Sequence, residues 1–329
     1  MERDATLHEA ERWFVRHGLP YFVDDERATV RRGLERGRLL PVLTLAVVVA
    51  AAVGVLLGLL MHDVSGGLAL GLLVLAAVLA VYAGTTLRVR VIAAWAARHT
   101  LRTLPQLFPL VTRALPLLLL FVTFLFINTE VWMVANSLDP AVLTMAVMFF
   151  AAIAVGFLLV QLPAEMDRVD DDTDPGRLSR RTAGTPVASC ADEVFGGADP
   201  NELVEVVEVS GLQKWNLVLV LLVAQALQVL LLSGAVLLFF LVFGQVVMQP
   251  DVVHSWLGLE GPDELSRVPA PLLKVSVFLA GFSGLYFTVY AVTDETYRSQ
   301  FFTAVTRELE RAVAVRAVYQ TLRRTATTD

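Results

Sequence analysis

The stretch that decides the fold is Leu115–Ala135, LPLLLLFVTFLFINTEVWMVA. It is apolar for about twenty residues, which is the length that a helix needs to cross the hydrocarbon core of a bilayer. Near its end it carries Asn128, Thr129 and Glu130. Because an ionisable side chain inside an apolar span is costly and usually functional, Glu130 is the first candidate for a polar site within the membrane.

The whole chain has the composition of a membrane protein. It has 329 residues, of which 56% are hydrophobic, and a mean hydropathy of +0.64. A soluble domain is typically about 45–50% apolar. The excess lies in long runs, so we expect an all-α membrane protein built as a six-transmembrane-helix bundle. The expected spans are 40–61, 67–87, 115–135, 141–162, 215–247 and 271–292.

The same pattern divides the chain into five parts. Spans 1–4 occupy residues 40–162, and spans 5 and 6 occupy residues 214–292. The polar parts are an amphipathic and basic segment at 1–39, an acidic loop with a short helix at 163–213, and a helix at 293–329.

Basic residues predict the orientation of the bundle. Eight lie in the first 39 residues, five in 88–113, four in 163–213 and six in the C-terminal segment, whereas the three other loops share only Arg267. Since loops rich in Arg and Lys stay in the cytoplasm, both termini are expected to be cytoplasmic and the location to be the cell membrane.

Small residues recur at every fourth position in the first two spans. Ala46, Ala50, Gly54 and Gly58 form one stripe in span 1, and Ala76, Ala80 and Gly84 form another in span 2. Such stripes let two helix backbones approach closely. Since the connection between the spans is short, we expect an antiparallel hairpin with the stripes facing each other; an interface between two copies of the chain is the alternative.

The N-terminal segment contains an amphipathic helix followed by a basic cluster. Leu7, Ala10, Trp13 and Phe14 share one helical face, which predicts a helix on the membrane surface or on the cytoplasmic loops. The cluster comprises Arg27, Arg31, Arg32, Arg36 and Arg38. We interpret the cluster as a determinant of membrane topology that keeps this segment in the cytoplasm; binding of anionic lipids is the more specific alternative.

Polar residues in the other spans suggest contacts between helices. Gln225 and Gln228 lie one turn apart in span 5, where amides usually form hydrogen bonds between helices. Lys274 enters span 6 from the same outer side as Glu130, so we expect a Glu130–Lys274 ion pair that fixes helix register. A carboxyl group that takes up a proton or reaches toward the surface is the alternative.

The sequence lacks residues that several known types of catalytic and metal site require. Gly281–Gly284 reads GFSG, as in intramembrane serine proteases, but none of the five histidines lies in a span to accept the serine proton. Asp170, Asp172 and Asp174 suggest a calcium loop, but Pro175 and Arg181 occupy the positions that require Gly and Glu. A single cysteine excludes a cysteine metal cluster. No catalytic constellation, cofactor, metal or nucleic-acid partner is expected.

Three stretches carry a resemblance to a known group. They are ERWFVRHGLPYFV at 11–23, LLVAQALQVLLLSGAVLLFFLVFG at 221–244 and FLAGFSGLYFTVYAVTDETYR at 278–298. Together they resemble a family of uncharacterised actinobacterial multi-pass integral membrane proteins. The resemblance implies a bacterial cell membrane and no particular activity.

The sequence therefore favours a non-enzymatic membrane scaffold, sensor or partner subunit that contacts another protein or a second copy of itself. A transporter or channel for ions or small solutes, with Glu130 as its polar site, is the second hypothesis.

Overall fold

The computed structural model of the chain describes residues 2–167, 174–197, 200–257, 270–293 and 295–328. Among these residues the regular structure is helical, with no strand. The helices are α1 (Glu2–Arg16), α2 (Asp24–Leu34), α3 (Arg36–Met61), α4 (Val64–Thr86), α5 (Val89–Phe126), α6 (Thr129–Ser137), α7 (Pro140–Asp167), α8 (Pro175–Arg181), α9 (Ala188–Gly197), α10 (Pro200–Val207), α11 (Gly211–Val247), α12 (Pro250–Leu257), α13 (Ala270–Thr293) and α14 (Glu295–Thr328), with a 3-10 turn at Pro20–Phe22.

The described residues contain five helices long and apolar enough to cross a membrane, namely α3, α4, α7, α11 and α13. A sixth crossing arises if Leu119–Phe126 of α5 and Thr129–Ser137 of α6 count together, although the two are bent by 73° at the break between them. The expectation of an all-helical membrane bundle is confirmed. The span expected over Leu115–Ala135 is interrupted, because α5 ends at Phe126 and α6 starts at Thr129.

Glycines bring α3 and α4 into backbone contact. A Cβ atom on Gly67 would lie 2.5 Å from the Gly54 carbonyl oxygen and 2.7 Å from the Gly58 Cα atom. The structure thus has an antiparallel α3–α4 hairpin in which Gly54 and Gly58 of the span 1 stripe face α4. On α4, however, the facing residues are Gly67 and Gly71, which lie nearer the turn than the stripe expected from the sequence.

The small residues Ala76, Ala80 and Gly84 of the expected span 2 stripe do not face α3. Ala76 and Ala80 are exposed, and a Cβ atom on Gly84 would meet the Arg90 side chain at 3.0 Å. Helix α4 carries two sets of small residues, Gly67 with Gly71 and Ala76 with Ala80 and Gly84. The spacing within the sequence does not tell which of the two sets contacts α3.

The larger of two hydrophobic cores lies at one end of the bundle, which we call the domain end. There α1, α8, α9, α10 and α14 pack on α5, α7 and α11, and Phe14, Ile92, Leu178, Leu217 and Val315 are among the residues with at most 1% of their surface exposed. The opposite end, which we call the loop end, has a smaller core formed by α6, α12 and the adjacent ends of α5, α11 and α13.

The amphipathic N-terminal helix packs on protein. Ala10, Trp13 and Phe14 of α1 are buried, and the Phe14 ring meets the Tyr319 ring of α14 edge to face, with the centroids 5.6 Å apart. Gly18 follows the helix with φ = +75°, and a Cβ atom there would lie 3.1 Å from Trp95. A glycine is thus favoured at this position both by its backbone conformation and by the close approach of Trp95.

The acidic loop is more structured than its composition suggests. It forms α8, α9 and α10 rather than one short helix. Asp174 caps the N-terminus of α8 by accepting a hydrogen bond from the Arg177 N–H at 2.9 Å, while Asp170 and Asp172 lie outside the described residues.

Candidate functional site

The break between α5 and α6 is held by local hydrogen bonds. The Asn128 side-chain oxygen accepts from the Glu130 N–H at 2.8 Å and so caps the first turn of α6. The Trp132 indole donates to the Phe126 carbonyl oxygen at 2.6 Å. Both interactions satisfy backbone groups that a helix end leaves unpaired, which makes this bend a stable structure within an apolar stretch.

Glu130 and Lys274 lie against opposite ends of α6. The Glu130 side chain is exposed in the first turn of α6, where a carboxylate interacts favourably with the helix dipole. The Lys274 amine donates to the Asn136 carbonyl oxygen at 2.9 Å, near the end of the same helix. No ion pair between Glu130 and Lys274 is present among the described residues, so both side chains serve α6 separately.

Aromatic rings hold α6 against the bundle. Trp132 is fully buried and contacts Phe126 edge to face with 5.4 Å between centroids. Phe126 in turn stacks on Phe240 of α11 at 4.7 Å, and Trp256 of α12 lies 6.1 Å from Trp132. The loop end is therefore closed by packed aromatic side chains around the bent segment.

Gln225 and Gln228 are buried, and amide atoms of both lack hydrogen-bond partners among the residues that the structure describes. Gln225 is 0% exposed and Gln228 is 9% exposed, both on α11. Neither amide atom of Gln225, nor the Gln228 carbonyl oxygen, has a partner among the described residues. The hydrogen bonds between helices expected from the sequence are not seen there. An unpaired amide in an apolar interior costs about 1–3 kcal/mol, so these two glutamines differ from Gln213 and Asn216 of the same helix, which are hydrogen-bonded.

The serine of the GFSG stretch has a packing role. Ser283 is fully buried, and its hydroxyl donates to the Leu279 carbonyl oxygen one turn earlier at 2.6 Å. A Cβ atom on Gly284 would collide with the Ser233 hydroxyl of α11. The small residues here allow α13 to cross α11 closely.

Asn216 joins α11 to the N-terminal segment. This fully buried amide accepts a hydrogen bond from the Tyr21 N–H at 2.8 Å and donates to the Gly18 carbonyl oxygen at 2.9 Å. The Tyr21 hydroxyl donates to the Leu87 carbonyl oxygen at 2.5 Å. Burial raises the pKa of Tyr21 to about 12, because the phenolate form is poorly solvated there.

Arg316 joins α14 to the C-terminus of α10. It is 6% exposed, and its guanidinium donates to the Val206 and Glu208 carbonyl oxygens at 2.9 and 3.0 Å and to the Gln213 side-chain oxygen at 2.8 Å. A cation at this position stabilises the carbonyl end of a helix.

Charged side chains bind α14 to the N-terminal helices. The Tyr319 hydroxyl donates to the Glu11 carboxylate at 2.8 Å, and burial together with this carboxylate raises the pKa of Tyr319. Asp24 of α2 forms ion pairs with both Arg27 and Arg323. The domain end is therefore held together by contacts between the two termini of the chain.

A groove opens between α9, α10 and α14 on the outer surface of the domain end. It has a volume of about 250 Å³ and a mixed apolar and polar lining. Phe195, Leu203 and Leu322 form part of its floor, and Glu193 and Thr325 lie among its polar lining residues.

Sequence patterns alone do not identify the residues that organise the domain end. Asn216 and Arg316 lie in helical stretches where single polar residues are common, and their partners are 195 and 110 residues away along the chain. Of the two, only Arg316 stands out in the sequence, because it is a charged residue among the apolar residues of 312–318.

Among the described residues, no group of three or more His, Cys, Asp or Glu side chains is placed to hold a metal ion. Comparison with protein-family models, with curated proteins and with solved structures found no match. The function must therefore be argued from the architecture itself.

Proposed function

We propose that the chain is a six-span scaffold of the cell membrane, with both termini in the cytoplasm and a helical domain at the cytoplasmic face that holds a protein partner. The observation that carries the proposal is the core of the domain end. It combines residues from both termini, from the segment between α7 and α11, and from the ends of the spans. A domain built on the spans in this way is fixed relative to the membrane and presents a fixed surface.

The orientation rests on charge. The segments that meet at the domain end are those that carry most of the arginines, which keeps this end in the cytoplasm. The partner surface in this proposal is the groove between α9, α10 and α14, because its lining combines apolar side chains such as Phe195 with the exposed Glu193 and Thr325.

A transporter is the second candidate, and one observation favours it. Gln225 and Gln228 are buried amides without partners among the described residues, and polar groups of this kind line substrate paths in membrane proteins. A flux assay separates the two candidates. In vesicles that contain the purified chain, the scaffold proposal expects proton and ion fluxes equal to those of empty vesicles. A flux that Gln225→Leu or Glu130→Gln abolishes at unchanged protein level would favour transport.

Photo-crosslinking in cells tests the scaffold directly. A crosslinking amino acid at Glu193 or Thr325, beside the groove, is expected to give a discrete protein adduct that disappears when Thr321→Trp fills the groove. The control position is Glu9, which is exposed on α1 of the same domain. Equal adducts at all three positions, or adducts that persist with Thr321→Trp, would contradict the proposal.

A further inference from the structure

The basic cluster consists of two kinds of arginine. Arg27 pairs with Asp24. Arg31, Arg32, Arg36 and Arg38 are exposed, and none of the four forms an ion pair with another described residue. Arg32 does bond within its own helix, to the Ala28 carbonyl and the Thr29 hydroxyl. Four guanidinium groups are thus presented to the surroundings without a carboxylate from the described part of the chain.

Helix α2, which carries Arg31 and Arg32, is held in place beside the start of α3, which carries Arg36 and Arg38. The Tyr82 hydroxyl of α4 donates to the Gly33 carbonyl oxygen at 2.7 Å, and Gly33 lies against the Thr86 side chain. Val30 on the same face is fully buried. The Asp24–Arg323 and Glu26–Arg88 ion pairs hold the start of α2 to α14 and to the connection between α4 and α5. The helix therefore lies at the rim of the apolar hairpin.

Apolar side chains accompany the arginines at this rim. Leu34 is 38% exposed and Leu40 is 58% exposed, on either side of Arg36 and Arg38. Alternation of basic and exposed apolar side chains is typical of a segment that lies at the boundary between headgroups and acyl chains. The exposed carboxylates nearby along the chain are Asp25 and Glu35, so the four arginines leave an excess of positive charge.

We propose that Arg31, Arg32, Arg36 and Arg38 form a binding surface for the phosphate headgroups of anionic phospholipids, with Leu34 and Leu40 in contact with the acyl chains. The planar guanidinium group donates two parallel hydrogen bonds to a phosphate, which suits this ligand better than a point charge would. Each arginine near an anionic membrane surface strengthens association by about fivefold. Arg27 is outside the surface because its guanidinium group already pairs with Asp24.

Native mass spectrometry of the full chain in detergent tests the proposal, with phosphatidylglycerol and phosphatidylcholine titrated in separate experiments. We expect phosphatidylglycerol to be retained preferentially. Arg31→Gln with Arg32→Gln should lower its association constant by about 25-fold and leave that of phosphatidylcholine unchanged. The matched control is Arg12→Gln with Arg16→Gln, which removes two exposed arginines from α1.

Equal retention of the two lipids by the unaltered chain would overturn the proposal, as would an equal loss of preference in the control variant. Two further measurements apply if the Gln variant does not fold. The preference in the unaltered chain should fall steeply as salt rises toward about 1 M, where the Debye length is about 3 Å. The variant with lysine at all four positions should keep a weaker preference for phosphatidylglycerol, because lysine keeps the charge but cannot donate the two parallel hydrogen bonds. A preference that salt leaves unchanged, or that the lysine variant loses, would contradict binding by charge.

Discussion

At the scale of single residues, the buried amides of α11 have opposite energetic roles. Asn216 uses its oxygen and its nitrogen in hydrogen bonds to the turn at Gly18–Tyr21, whereas Gln225 is equally buried and satisfies neither atom among the described residues. The sequence shows Asn216, Gln225 and Gln228 alike as single polar residues among apolar ones. It could not show their partners, because partners that lie far apart along the chain meet only in the folded protein.

The variant Asn216→Leu is expected to destabilise the chain strongly. It removes two buried hydrogen bonds and leaves the Tyr21 N–H and the Gly18 carbonyl group unpaired, which costs at least about 2 kcal/mol in the free energy of unfolding. Thermal unfolding in detergent, followed by tryptophan fluorescence, measures the change. A midpoint equal to that of the unaltered chain would show that the turn does not depend on Asn216.

The variant Gln225→Leu is the counterpart, and it should be neutral or stabilising by about 1–3 kcal/mol, because an apolar side chain of similar size removes an unpaired amide from the interior. The same unfolding measurement applies. A marked loss of stability would show that Gln225 has a hydrogen-bond partner, such as a bound solute or water. That result would support the transport hypothesis.

Tyr21 predicts how stability depends on alkaline pH. Burial raises its pKa in the folded state to about 12, from about 10 in the unfolded chain. A group with a raised folded pKa contributes stability that is complete below the unfolded pKa and is lost as pH rises through the folded pKa. Unfolding midpoints should therefore fall between about pH 10 and 12 more steeply in the unaltered chain than in Tyr21→Phe. Equal slopes would contradict the burial of an essential hydroxyl.

At the scale of elements, length and hydropathy identify the spans but do not detect the bend in the third. The break depends on Asn128, whose side chain caps a new helix, and on Trp132, whose indole satisfies the last carbonyl group of α5. Asn and Thr before Glu are a common start for a helix. This helix-start pattern is present at residues 128–130 of the sequence. Because it lies within an apolar run long enough to cross a membrane, the pattern is equally consistent with a polar site inside a continuous span.

Glycines of the α3–α4 hairpin give a prediction with an internal control. Gly67→Ala should destabilise the hairpin by about 1–3 kcal/mol, because the new methyl group would meet backbone atoms of α3 that cannot move aside. Gly156→Ala in α7 adds the same group where no atom lies within 4 Å, and it should stabilise its helix by up to about 1 kcal/mol. Equal effects of the two variants on the unfolding midpoint would refute the close contact.

Arg316 supports a prediction for α10. Arg316→Met keeps much of the side-chain volume but removes the bonds to Val206, Glu208 and Gln213, so the C-terminus of α10 should open more often. Hydrogen exchange at residues 203–210 should become at least about tenfold faster, since the bonds of a charged donor contribute about 1.5–3 kcal/mol. Exchange at residues 217–224 of α11 is the control and should change much less. Unchanged exchange at 203–210 would mean that Arg316 does not cap α10.

At the scale of the whole molecule, the membrane bundle was predictable and the domain was not. Runs of apolar residues predict spans because the bilayer requires helices of a minimum length. The domain depends on contacts such as Tyr319 with Glu11, which are 308 residues apart, and on helices as short as α8 and α10 that pack only in context. Periodicity indicated the buried face of α1 but not the helix that covers it.

The central claim is that both termini and the segment between α7 and α11 form one domain on the cytoplasmic side of the membrane. The most direct test is labelling with a membrane-impermeant maleimide in intact cells, in a chain in which Cys190→Ala removes the single cysteine. Single cysteines are introduced at Ser189 or Thr325 for the domain end and at Ser137 for the loop end, all of which are exposed positions. We expect Ser137→Cys to be labelled in intact cells, and Ser189→Cys and Thr325→Cys to be labelled only after permeabilisation. Labelling of either domain-end position in intact cells, with protection of Ser137→Cys, would contradict the account.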